Sequence, residues 1–222
     1  MRKKLDKANR LSLEIPVNGP SKSANDKENL FLSNDQASIQ LQYWTPEWLC
    51  SSKNKDGTRL QEFLDLFAEN MGEQYKNSSW GFDLEEKKAE LRHIKARFLA
   101  LLGINEMNKI SSEEDGKAVQ DLEGFCHYRF EYDDEDSPSE AVLYVYELQI
   151  RDKYRRQGLG RKIMELLEKM AKEYEIPKVM LTVFFANEQA MDFYKNLHYS
   201  VDETSPSQFG EKVDYEILSK KI

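Results

Sequence analysis

The run Arg155-Arg156-Gln157-Gly158-Leu159-Gly160-Arg161 stands where a strand-like segment gives way to an amphipathic helical one. Such a junction is suited to phosphate. Residues 139 to 150 are rich in β-branched and aromatic types, while Ile163, Leu166, Leu167 and Met170 recur at helical spacing. Two glycines one residue apart let the turn open its N–H groups outward, and the helix N-terminus adds partial positive charge suited to a diphosphate. Two familiar loops are excluded. A nucleoside-triphosphate loop requires Lys and then Ser or Thr after its last glycine, where this chain has Arg161 and Lys162. A dinucleotide fingerprint requires a small residue three places after the second glycine, where Ile163 stands. The pattern that fits is R-x-x-G-x-G, on Arg155, Gly158 and Gly160.

The elements that must position this loop are legible from periodicity. Residues 1 to 33 are polar, interrupted by Pro16, Gly19 and Pro20, and read as a poorly ordered or docked arm with Leu11, Leu13, Ile15 and Val17 as a docking stretch. Its basic start, Arg2, Lys3, Lys4, Lys7 and Arg10, is a weak nuclear-address signal. Residues 34 to 222 read as one domain. Residues 37 to 44 alternate as a half-buried strand does, and Lys53 to Gly57 form a loop. Leu60, Phe63, Leu64, Phe67 and Met71 then mark a helix running towards Tyr75, and a second helix spans about Asp83 to His93. Strands are expected at about 96–102 and 121–132, with a polar loop around Asn108 to Gly116. After the glycine loop and its helix come a strand from Lys178 to Phe184, Asn187 as a helix cap, a helix holding Ala190, Phe193, Tyr194 and Leu197, and a last hairpin.

Charge narrows the partners. A net charge of −8 argues against general binding to nucleic acid or anionic membrane, and favours a cationic partner where acid clusters, as it does at Glu131, Asp133, Asp134, Glu135 and Asp136. Cys50 and Cys126 are two distant thiols that imply a reducing interior, and His93, His127 and His198 lack metal-ligand spacing, so no metal is expected. No apolar run approaches a bilayer span and no secretory h-region opens the chain, so a soluble protein is expected.

The R-x-x-G-x-G loop, within the order strand, glycine turn, helix, strand, Asn, helix, resembles the acetyl-CoA loop of the GNAT acyltransferases. That resemblance implies a single α/β (α+β) GNAT domain, a mixed and mostly antiparallel twisted sheet flanked by helices. It also implies acetyl-CoA as acyl donor, held by Arg155, Arg156, Gln157, Gly158, Leu159, Gly160 and Arg161, by Leu148, Gln149 and Ile150 beside the acetyl end, and by Asn187 on the pantetheine arm. Tyr194 would lie near the sulfur as an acid.

Within that superfamily, residues 30 to 222 resemble the N-terminal acetyltransferase D (NatD) family, which acetylates the α-amine of histones 4 and 2A. The likeness rests on Ser79-Trp80-Gly81, Tyr144-Val145-Tyr146-Glu147-Leu148-Gln149, Val179 to Phe184, Ser205-Pro206-Ser207 and Tyr215 to Ser219. It implies Glu147 as general base, with Tyr146 and Tyr215 beside the chemistry. Tyr75, Trp80, Tyr144, Tyr146, Thr182 and Tyr215 would shape the peptide pocket. Glu131 and Asp133 would face the arginine of a Ser-Gly-Arg-Gly terminus, Glu131 standing where the family has Asp. Histone tails as substrates, no auxiliary subunit, and residence in nucleus and cytoplasm complete the expectation.

An α-amine titrates near 7.7 to 8.0, roughly 2 to 3 units below a lysine side chain, so a modest base suffices. Strict strand alternation puts Tyr144 and Tyr146 on the face opposite Glu147, so a bulge near Glu147 to Gln149 is required for them to share one site. By themselves the residues leave other readings open: Glu147 as an edge carboxylate, Tyr144 and Tyr146 as core, Tyr215 as hairpin packing and the acidic run as a solvated loop. A GNAT enzyme acting on lysine or polyamines, or a non-catalytic acyl-CoA-binding domain, also remains open.

Overall fold

A computed structural model describes residues 32–34, 37–51, 58–104, 120–133 and 140–222. The expected arm up to residue 31, the loops at Lys53–Gly57 and Asn108–Gly116, and Asp134, Glu135 and Asp136 lie outside the described residues. In chain order the elements are β1 (Leu32–Asn34), β2 (Ala37–Trp44), α1 (Pro46–Leu49), α2 (Thr58–Lys76), α3 (Leu84–Leu91), β3 (Arg97–Ile104), β4 (Gln120–Tyr132) and β5 (Ala141–Ile150). They continue with α4 (Leu159–Glu173), β6 (Lys178–Phe184), α5 (Glu188–Asn196), β7 (Ser200–Val201) and β8 (Tyr215–Lys221). The expected strands and long helices form within a few residues of their sequence bounds; β1 and α1 were not foreseen, being too short for periodicity to register.

Among the described residues the strands form one sheet in the order β1-β2-β3-β4-β5-β6-β8-β7. All neighbours are antiparallel except β5 and β6, whose parallel pairing is joined by the crossover helix α4. Each face is covered. On one, Phe63, Phe67 and Leu91 of α2 and α3 pack with Phe98 and Phe125. On the other, Ile163, Met164 and Leu167 of α4 pack with Cys126, Tyr128, Leu143 and Val145. Asp83 caps α3 by accepting from the N–H groups of Glu85 and Glu86, which ends the aromatic connector running from Tyr75 to Phe82.

Two features of β5 create the site. Its pairing with β4 puts Glu147 opposite His127 and Val145 opposite Tyr128, so Tyr146 is the extra residue of a bulge. The bulge therefore falls at Tyr146, slightly before the expected Glu147–Gln149. Its effect on parity is the one required. Leu143, Val145, Leu148 and Ile150 turn towards α4 and α5. Tyr146, Glu147 and Gln149 turn together towards α2 and α3, where they meet His127, Lys87 and Asn70 respectively. The second feature is a split: β5 and β6 pair only from Val142 to Val145 and from Lys178 to Leu181. Beyond these residues β6 continues with β8 alone, and a wedge opens beside the last turns of β5.

Candidate active site

The wedge is the mouth of a cavity of about 1150 Å³, which runs from the glycine loop past β5 to the aromatic connector. At the loop end, Gly158 caps α4 with φ 82°, and the helical ladder starts at the N–H of Lys162. The N–H groups of Leu159, Gly160 and Arg161 thus have no intrahelical acceptor, and the first turn carries no acidic side chain to compete for an anion. Gly160 is close-packed for a different reason: a Cβ there would stand 3.1 Å from the Phe193 ring of α5, which would have to give way by a few tenths of an ångström.

The predicted cofactor residues divide into two groups. Leu148, Gln149, Ile150, Arg155, Arg156, Gly158, Leu159, Gly160, Arg161, Asn187 and Tyr194 all line the cavity. Gln157 does not; its amide donates 2.8 Å to the carbonyl of Lys153 and braces the loop. Arg155 lines the cavity but is largely occupied by the protein, donating to the carbonyl of Ile150 at 2.9 Å and to Asn70 at 2.6 Å. It ties the loop to α2 and β5, and Arg156 beside it donates to Gln189 at 3.5 Å. Asn187 caps α5, accepting from the N–H of Ala190 at 3.2 Å.

At the inner end of the wedge stands Glu147, 5% exposed. Its Oε1 accepts from Lys87 at 2.7 Å and its Oε2 from Gln149 at 2.7 Å. A carboxylate has about four lone-pair sites, so each oxygen keeps one for an incoming donor. Burial pushes this carboxyl above its ordinary value, with Lys87 only partly offsetting it and Glu90 adding to the rise. A carboxyl raised in this way has the greater proton affinity that a general base needs.

The end of the cavity away from the glycine loop is aromatic. Trp80 lies with ring centroids 5.0 Å from Phe184 and 5.0 Å from Tyr215, and 6.0 Å from Tyr75. This mouth is latched by Asp214, which accepts from the N–H of Ser79 at 2.6 Å and from its hydroxyl at 3.0 Å. Tyr144 and Thr182 share a 2.5 Å hydrogen bond across the wedge between β5 and β6, and burial pushes the Tyr144 phenol up to about 12. Tyr75, Trp80, Tyr144, Tyr146 and Thr182 line the cavity; Tyr215 reaches it through its contact with Trp80.

The expected acidic pair stands apart from the cavity lining. Tyr146 donates to Glu131 at 2.6 Å, so the phenol next to Glu147 carries a carboxylate on its far side. Arg129 lies 3.8 Å from Glu131 and over the Tyr146 ring at 4.2 Å. Asp133 accepts from the N–H of Glu140 at 2.9 Å and closes the β4–β5 hairpin.

Sequence reasoning missed Lys87, Asn70 and Asp214. The first two had a signal: Asn70 continues the Phe63–Phe67 stripe of α2, and Lys87 stands one turn before the buried Leu91 of α3, so each is a polar residue on an apolar face. Asp214 had none, because its partner is distant in the chain.

A sequence profile described as the Acetyltransferase (GNAT) family matches residues 68–199, from within α2 to the end of the turn after α5. Among solved structures, NAA60 from Arabidopsis thaliana in complex with a bisubstrate analogue is similar at a TM-score of 0.56 and 14% identity, over 83% of this chain and 99% of that one. An acetyltransferase from Thermus thermophilus gives 0.53 at 13% identity, over 83% and 97%. The PaiA N-acetyltransferase of Thermoplasma acidophilum in complex with coenzyme A gives 0.51 at 16%, over 83% and 99%. At these identities the likeness is one of fold.

Proposed function

Because the chain belongs to the GNAT acetyltransferase family, and so is an acetyl-CoA-dependent transferase, we propose that its acceptor is the free α-amine of a polypeptide, of the Ser-Gly-Arg-Gly kind that begins histones 4 and 2A. The observation that carries this reading is the bulge at Tyr146, which turns Glu147 and Tyr146 to one face of β5 behind a latched aromatic mouth. A chain terminus can thread such a mouth, whereas a lysine on a folded surface must bring its backbone with it.

The chemistry follows from the positions. The α-amine enters past Trp80 and Tyr75, gives its proton to Glu147 directly or through water, and attacks the thioester carbon. The unpaired edge of β5 beyond Val145 offers N–H groups to the carbonyl oxygen as it gains charge. The sulfur leaves as a thiolate and takes a proton; Tyr194, a cavity-lining phenol that burial keeps protonated, is the donor in this reading. Holding amine and thioester in line lowers much of the entropic barrier, so the base has a modest task.

Glu131 lies outside the cavity lining and already holds Tyr146 and Arg129, so it would favour a substrate arginine only through the charge it sets behind the Tyr146 phenol. Histone substrates would place the enzyme in nucleus and cytoplasm, acting without an auxiliary subunit. The test mixes acetyl-CoA with a Ser-Gly-Arg-Gly-Lys peptide, with a free or a blocked amino terminus, and follows released thiol. Activity confined to the free terminus is expected; activity surviving the block would favour a lysine acceptor.

A further inference from the structure

The ammonium of Lys87 plays no part in the steps above, yet it is buried where an unpaired charge would be strongly destabilising. Its side chain is 7% exposed. The Nζ atom lies 2.7 Å from Oε1 of Glu147 and 2.9 and 3.0 Å from the two oxygens of Glu90, so its three protons have three carboxylate acceptors. The stem is confined by the rings of Phe67 and Tyr75, whose centroids lie 4.7 and 5.6 Å from the nitrogen. Glu90 is the outermost member of the group, 26% exposed.

We propose that Lys87 is a positioning residue for acetyl transfer, holding the Glu147 carboxylate ionised and aimed into the cavity, and that Glu90 sets the strength of that hold. The inference rests on the reading of Glu147 as base. Other groups surround that carboxylate: Tyr75 of α2, Cys126 and His127 of β4, Tyr146 and Gln149 of β5, and Tyr194 of α5. None of them supplies a cation at neutral pH. The His127 imidazole is held down to about 4 by burial, and its Nε2 accepts from Arg129, which keeps that guanidinium on the far side of the ring. The charge state of Glu147 is therefore governed by one near cation and one near anion, both on α3.

That arrangement has opposite consequences for two substitutions on one helix. Lys87→Met leaves two carboxylates without their counter-ion, so Glu147 gains its proton more readily. Glu90→Gln removes the competing anion and makes Glu147 harder to protonate.

The experiment measures kcat against pH at saturating peptide and acetyl-CoA, because kcat reports groups in the bound complex. The acid limb should move up by about 1 to 3 pH units in Lys87→Met and down in Glu90→Gln, and hold its place in Lys87→Arg even where kcat falls. A fault of packing alone would lower kcat without moving the limb in opposite directions. Limbs that stay fixed, or that move the same way in both variants, overturn the proposal. Should Lys87→Met fail to fold, the downward limb of Glu90→Gln and the fixed limb of Lys87→Arg carry the same decision. Glu147→Gln, run alongside, separates the two claims. Turnover at the wild-type rate there removes Glu147 as base, whereas slow turnover with unmoved limbs in the α3 variants removes only the role of Lys87.

Discussion

Gly124→Ala should damage cofactor binding from the opposite side of the sheet. Gly124 lies on β4 opposite Ile150 of β5, and a Cβ there would stand 2.7 Å from the carbonyl oxygen of Gln149, 2.9 Å from Leu101 Cδ1 and 3.3 Å from Ile150 Cα. Leu101 is buried and has little room to turn, so the strain falls on the backbone of β5 at the residues that border the wedge. Overpacking of this kind costs about 1 to 3 kcal/mol, offset by the 0.4 to 1 kcal/mol that alanine contributes by restricting the unfolded chain. A net loss of about 1 to 2 kcal/mol corresponds to a fall in Tm of roughly 2 to 8 °C for a chain of this size. Because Arg155 also holds the carbonyl of Ile150, the displacement reaches the glycine loop and should weaken coenzyme A binding as well. Thermal melting and calorimetric titration with coenzyme A measure both effects, with Gly81→Ala as comparison. Gly81 has φ 73° and nothing within 4 Å of its added Cβ, so its substitution carries a backbone strain that Gly124 does not have and lacks the collision that Gly124 does. Coenzyme A affinity and Tm both equal to wild type in Gly124→Ala would refute this account of why a glycine stands there.

Gly158→Ala forces a side chain onto φ 82° at the N-cap of α4, at a cost of about 1 to 2 kcal/mol; calorimetry should show coenzyme A binding weakened by roughly tenfold. Asp214→Ala releases Ser79 and loosens the aromatic mouth, raising the KM for peptide severalfold while the acetyl-CoA Kd stays unchanged, as steady-state kinetics and calorimetry together would show. Stability should fall on acidification in two stages. The His127 imidazole, at about 4 when folded against an ordinary 6.5, favours the folded state above pH 6.5 and loses that contribution as pH drops towards 4. For Glu90, burial alone would raise the carboxyl, but His127 and Lys87 outweigh it and hold it at about 2, so its contribution is present above pH 4.5 and lost between there and 2. Urea midpoints across pH 7 to 3 measure the decline, and His127→Gln should flatten its upper part.

Those predictions draw unequally on sequence and structure. The glycine loop, the helices that flank it and the Asn187 cap were legible because each depends on neighbours within a few residues: a turn conformation, an apolar stripe, a side chain reaching its own helix. Glu147 and the tyrosines came from a resemblance, and alternation alone argued that they could not share a face. Arg155 was legible as part of the motif but not in its occupation, since its acceptors, Ile150 and Asn70, are brought to it by other elements. The acidic run suggested that Glu131 and Asp133 face the cleft, whereas both lie outside the cavity lining, Glu131 accepting from Tyr146 and Asp133 from the N–H of Glu140.

By itself, then, the chain determined that a glycine turn would form between a strand and a helix, because backbone geometry and periodicity are local. Only the folded sheet decided where β5 bulges, since an extra residue is defined by the register of the strand beside it. Only packing brought Lys87 to Glu147 across 60 residues of chain and Ser79 to Asp214 across 135. Desolvation has the same origin: a carboxylate becomes a base when other elements exclude water from it, and no pattern within its own strand records that exclusion.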